Sequence, residues 1–94
     1  MVFDGYRRLK SALIIYTYHD LRKDFWKKKL SEAHTNEARE NYAIKIKRSL
    51  SRAVLYGRDY MKLLALEDNP RELARQRVEL AKLERELSDI NQQA

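Results

Sequence analysis

Apolar positions recur at steps of three and four through the middle of the chain: Tyr42, Ile46, Leu50, Ala53, Gly57, Tyr60 and Leu64. At about 100° per residue they fall within about 40° of Ile46 on a helical wheel. They predict a helix over about 36–66 with one continuous buried face. Gly57 stands in the middle of that face. A mid-helix Gly costs about 1 kcal/mol relative to Ala, so its presence there predicts the close approach of another helix. Ile44, Leu55 and Leu66 follow a different period, eleven residues. Eleven residues are almost three full turns, which places them in register opposite Ile46. Lys45, Arg48, Arg52, Arg58 and Lys62 border this second line. An apolar line in a basic border reads as a docking stripe.

The segment ahead of this helix predicts another, over about 4–33, with Asp4 as N-cap. Its apolar face drifts. Leu9, Leu13 and Tyr16 make one stripe, and 12–18 is apolar almost all round, which predicts burial on more than one side. Leu21 and Phe25 then share one side, and Trp26 and Leu30 another. Asp20, Asp24, Lys27 and Lys28 lie between them, and Lys23, Lys27 and Lys28 all stand close enough for ion pairing with the two carboxylates. The drift predicts a bend near His19-Asp20 or two halves with different neighbours.

Two breaks separate the helices. At Ala33-His34-Thr35-Asn36, Thr35 or Asn36 can cap the second helix, and Glu37 suits its positive end. At Glu67-Asp68-Asn69-Pro70, Asn69 as N-cap and Pro70 at the first helical position start a third helix, over about 70–91. Leu73, Leu80 and Leu87 repeat every seven residues, as do Gln76, Leu83 and Ile90. These are the a and d positions of a coiled coil. Arg75–Glu79, Lys82–Glu86 and Arg85–Asp89 stand at i,i+4, the spacing of helical ion pairs. Alone the segment is too short to be stable. It must fold back on the first two helices or pair with another chain, a second copy included. No strand-like alternation competes. The expected fold is all-α: a long antiparallel hairpin (1–68) and a third amphipathic, coiled-coil-like helix (69–94) of the same domain.

Charge and composition narrow the function. Lys+Arg outnumber Asp+Glu 20 to 14 over 94 residues, and the excess is uneven. Residues 1–35 carry eight cations against four anions, 36–68 seven against five, and 69–94 five against five. The basic field of the first two thirds favours acidic partners. With no Cys there is no disulfide, thiol nucleophile or Cys-ligated metal. His19 and His34 stand fifteen residues apart without a metal-binding motif, and no Gly-rich phosphate loop is present. His19 and Asp20 are neighbours, about 100° apart on a helix, and make a poor acid–base pair. A non-catalytic chain without cofactor or metal is expected. The longest uncharged apolar stretch, 11–18, is too short to span a membrane. The expectation is an intracellular protein of a reducing compartment, cytoplasm or organelle matrix.

Tyr6-Arg7 ahead of an amphipathic helix resembles the opening of the LYR-motif proteins, but Gly5 stands where their Leu would be and no short second helix follows. Length and helicity resemble the helical chorismate mutases, without their short middle helix or set of pocket charges. Neither family is assigned.

The leading expectation is a non-catalytic interaction subunit docking in a larger multi-subunit assembly. Its interface would comprise Ile44, Leu55 and Leu66, Trp26 and Leu30, and the seam Leu73, Leu80, Leu83, Leu87 and Ile90. An alternative is an RNA- or DNA-binding module. There Lys27, Lys28 and Lys29, beside Phe25-Trp26, and Lys45, Arg48 and Arg52 would neutralise phosphates. No helix-turn-helix signature supports sequence-specific reading of DNA. A second alternative is a small regulator whose last helix captures a partner helix.

Overall fold

Helix propensity is almost unbroken along the chain, and the computed structural model has three helices: α1 (Val2–Ser31), α2 (Asn36–Leu64) and α3 (Pro70–Gln93). It describes residues 2–93, with side-chain environments for 7–92. α1 starts ahead of the expected cap Asp4, whose side chain lies outside the described residues. α1 remains one continuous helix through His19-Asp20, where a bend was one of two expectations.

Both interhelix breaks are built as their residues dictate. Thr35 is extended (φ −120°, ψ 152°), and its Oγ1 accepts a hydrogen bond from the Ala38 N–H at 3.1 Å. This satisfies one of the orphan donors of α2, while Glu37 lies in its first turn. The Oδ1 of Asn69 accepts from the Glu72 N–H at 3.3 Å, and Pro70 occupies the first helical position of α3. α2 ends at Leu64, two residues short of expectation. Three-residue turns take over there: the N–H of Leu66 donates to the Leu63 carbonyl and that of Glu67 to Leu64. Leu66 therefore leaves the line of Ile44 and Leu55 and sits in the connection, 82% exposed.

α1 and α2 form an antiparallel hairpin, and α3 docks on α2. α3 runs antiparallel to α2: Leu87 and Asn91 lie by Val54, Leu80 by Gly57, and Glu72 near Tyr60. Thirty residues of α1 at about 1.5 Å each account for the elongated shape, 52 × 22 × 18 Å.

The core is the predicted face of α2. Leu50 and Ala53 are fully buried, and Ile46, Gly57, Tyr60 and Leu64 are buried with them. Tyr16 enters from α1, and Leu80 and Leu83 from α3. Leu73, Leu87 and Ile90 pack against the same cluster half-buried. The heptad seam of α3 is thus filled within the chain. Its polar position, Gln76, is buried, and its Nε2 donates to Glu72 Oε1 at 2.9 Å. Gly57 is the point of closest approach. A Cβ there would lie 2.9 Å from Leu80 Cδ1 and 3.1 Å from Tyr16 Cε1, so three helices converge where the sequence has no side chain.

Ion pairs tie the bundle on the α3 side. Lys23 is buried, with its Nζ 3.0 Å from Asp20 and 3.3 Å from Asp24. Burial pulls its pKa down, but the bond and charge of Asp20, with Asp24, outweigh this and hold it above the usual lysine value. Lys27 pairs with Glu86 across α1 and α3, and Arg58 with Glu84 across α2 and α3. The expected i,i+4 pairs along α3 do not form among the described residues. Glu86 turns to Lys27, Arg75 pairs with Glu72 and Lys82 with Glu79. Among the described residues, no helix is long and apolar enough to cross a membrane.

Candidate functional site

The side of the hairpin away from α3 carries two adjoining features. The first is a cleft of about 250 Å³ between α1 and α2, with no α3 residue in its wall. The helical period builds it. His19, Arg22 and Trp26 stand at i, i+3 and i+7 on α1, and Lys45, Arg48 and Arg52 repeat that spacing on α2. Each row sits beside the apolar face of its helix, so closing the hairpin brings the two rows opposite each other. Tyr18 and the buried Ser49 complete the wall.

The wall has four cations, Arg22, Lys45, Arg48 and Arg52, and no carboxylate. Among the described residues none of the four is in an ion pair. Aromatic rings hold two of them in place. The Arg22 guanidinium carbon lies 5.0 Å from the Trp26 ring centre and Lys45 Nζ 4.3 Å from it, both within cation–π range. Trp26 itself stacks on Tyr42 across the hairpin at 5.8 Å and 24°. His19 stacks on Tyr56 at 5.1 Å and 6°, with Tyr18 edge-on at 5.1 Å. Burial, then the charge of Arg52, push the His19 pKa below its usual value, so it is neutral at pH 7.

The second feature is the outer face of α1. Ile14, Tyr18, Leu21 and Phe25 lie within about 30° of one line down the helix, opposite the core. They are 59%, 56%, 62% and 43% exposed. From Ile14 to Phe25 the line runs eleven residue steps, about 16 Å at 1.5 Å each. Arg22 and Lys29 flank its C-terminal end, 5.2 and 5.6 Å from the Phe25 ring centre, and Lys28 is exposed beside it. The all-round apolar segment 12–18 is therefore not buried on two sides. Tyr16 faces inward, while Ile14 and Tyr18 face out.

The residues expected at interfaces are dispersed. Ile44 and Leu55 are 58% and 54% exposed on the outer face of α2, without Leu66. Trp26 and Leu30 are half-buried, Trp26 against Tyr42. Leu73, Leu80, Leu83, Leu87 and Ile90 face the core. The two basic clusters separate as well. Lys45, Arg48 and Arg52 line the cleft, whereas Lys27 is paired with Glu86, and Lys28 and Lys29 lie along the α1 stripe. Sequence reasoning missed Arg22, His19 and the exposed line of Ile14, Tyr18 and Leu21. The repeated i, i+3, i+7 spacing on both helices is the signal that could have found the cleft. Among the described residues no three His, Asp or Glu side chains group as metal ligands would. Compared with known proteins, the chain matches no family model, and no curated protein or solved structure is significantly similar to it.

Proposed function

We propose that the chain is a non-catalytic docking subunit of a larger assembly, and that it meets its partner along the outer face of α1. The observation that carries this reading is the exposed line Ile14, Tyr18, Leu21 and Phe25 on a helix that meets its own core through the opposite face, with Leu9, Ala12 and Tyr16. Single exposed apolar residues are ordinary; four in register over three turns mark an interaction surface. The basic border selects the partner. Arg22, Lys28 and Lys29 favour an acidic amphipathic helix, whose apolar ridge covers the line while its carboxylates meet the cations. They also disfavour a second copy, since two such faces would bring like charges together.

The test is a tagged purification from the native source with and without nuclease, run for the wild type and Leu21→Glu. A fixed, stoichiometric protein partner that survives nuclease and is lost from Leu21→Glu, with helicity unchanged, is the expected outcome. Partners that vanish with nuclease would replace this reading with the nucleic-acid one. A partner retained by Leu21→Glu would remove the α1 line from the interface. Ile44 and Leu55 then become the next surface to charge, through Leu55→Glu.

A further inference from the structure

The cleft between α1 and α2 shares Tyr18 and Arg22 with the docking surface, but its chemistry is different. We infer that it is a binding site for a compact phosphate chain, a di- or triphosphate group held by Arg22, Lys45, Arg48 and Arg52.

Four arguments lead there. The first is the concentration of charge. Arg22, Lys45, Arg48 and Arg52 line one cavity of about 250 Å³ whose wall contains no acid to offset them. Like charges gathered around one cavity oppose folding, and an anion between them removes the repulsion. The second is charge matching. A terminal phosphate carries about −1.5 to −2 at neutral pH, so two or three linked phosphates balance four cations, and a single phosphate does not. The third is donor type. Three of the four cations are Arg, whose planar fork matches phosphate oxygens two at a time. The neutral imidazole of His19 and the hydroxyl of Ser49 add uncharged polar groups to the same wall.

The fourth argument separates a compact ligand from a nucleic-acid strand. Single strands are held by a basic track with open aromatic faces on which bases stack. Here Trp26 is stacked on Tyr42 and carries Lys45 and Arg22 within 5.0 Å, and His19 is stacked on Tyr56. Trp26 and His19 are thus engaged by the protein, and of the rings in the wall Tyr18 alone stays open, so the cleft offers no row of aromatic faces for successive bases. The cations converge on one cavity and form no track, with Lys45, Arg48 and Arg52 spanning about 10 Å along α2 at 1.5 Å per residue.

The experiment is isothermal titration calorimetry of the full chain with sodium tripolyphosphate, against sodium sulfate at matched ionic strength, read together with the thermal midpoint. One-to-one binding of tripolyphosphate is expected, with a raised midpoint and at least tenfold weaker binding of sulfate. The Arg48→Ala/Arg52→Ala double variant removes two exposed side chains and no core contact. It should lose at least tenfold in tripolyphosphate affinity while unfolding, without ligand, no earlier than wild type. Lys82→Ala, a cation of α3 away from the cleft, should bind as wild type. Adenosine triphosphate distinguishes the sources of the group: affinity equal to tripolyphosphate's assigns the phosphate chain alone, and tighter binding assigns a nucleotide. A uridine oligomer without terminal phosphate should not compete. The proposal is overturned if sulfate and tripolyphosphate bind alike, if the double variant binds undiminished, or if the oligomer displaces tripolyphosphate at lower concentration than the triphosphates do. None of these arms involves the docking partner, so this inference and the proposed function stand or fall separately.

Discussion

Gly57→Ala tests the whole arrangement through the sign of one free-energy change. Two effects oppose each other. Replacing a mid-helix Gly by Ala favours the helix by about 1 kcal/mol. Against this, the new methyl would sit 2.9 Å from Leu80 Cδ1 and 3.1 Å from Tyr16 Cε1. The Leu80 methyl is the end of a rotatable side chain and can give way in part. The Tyr16 ring has less room, because it is buried with the Tyr60 ring at 6.0 Å. Overpacking a tight core contact costs about 1–3 kcal/mol. The balance is a destabilisation of about 1 kcal/mol, a drop in thermal midpoint of about 4–8 °C for a domain of this size. The assay is thermal unfolding followed by far-UV circular dichroism. If Leu80 and Tyr16 did not close on Gly57, the propensity gain would dominate, raising the midpoint by a similar amount. A rise would therefore refute the tight three-helix contact at Gly57. Leu80→Ala supplies the cross-check. Alone it should cost about 2–5 kcal/mol as a buried truncation. Combined with Gly57→Ala, it should cost less than the sum by about 1 kcal/mol, because the methyl then occupies space that Leu80 has vacated.

Two further outcomes follow from the same structure. Leu50→Ala, at a fully buried position, should destabilise by about 2–5 kcal/mol in chemical denaturation, and a loss under about 1 kcal/mol would mean that the core is not centred there. Because the His19 pKa is lowered on folding, the unfolded chain binds the proton more readily, so stability should fall as pH drops from about 7 towards 5 through the ordinary His range. His19→Gln should flatten that fall, measured as midpoint against pH, and a fall of equal depth in the variant would place its origin elsewhere.

Local signals in the sequence were sufficient where the structure is local. The buried face from Tyr42 to Leu64 shows in seven positions at one helical period, and the Thr35 and Asn69 caps show in residue type and placement. Features that depend on which elements meet were not legible. A heptad seam looks the same whether its partner is α2 or another chain, so Leu80 and Leu83 reveal their neighbour only in the fold. The eleven-residue line failed at Leu66 because capping at Asn69-Pro70 requires the chain to turn first. Glu86 stands at i,i+4 from Lys82 in the sequence, yet bonds Lys27, which is 59 positions away. The cleft was half-visible: Lys45, Arg48 and Arg52 stood out as a basic cluster, but Arg22 and His19 join them only when the hairpin closes.

The distribution of acids explains why the basic excess lies on one side. α3 contributes as many anions as cations, and Glu84 and Glu86 reach out of it to Arg58 and Lys27 of the hairpin. The flank of the hairpin under α3 is thereby neutralised, while the opposite flank keeps its charge. Tyr18 and Arg22 belong to both features there, lining the cleft and edging the exposed line. If both proposals hold, the two ligands share a cation. An anion in the cleft that takes Arg22 withdraws it from the partner's carboxylates, and a docked partner that takes Arg22 withdraws it from the anion. Binding free energies are reciprocal, so whatever factor one occupancy takes from the other's affinity, the second takes from the first. The shared position of Arg22 makes that coupling antagonistic, and Lys28 and Lys29, which lie outside the cleft wall, carry the part of the docking that the anion leaves untouched.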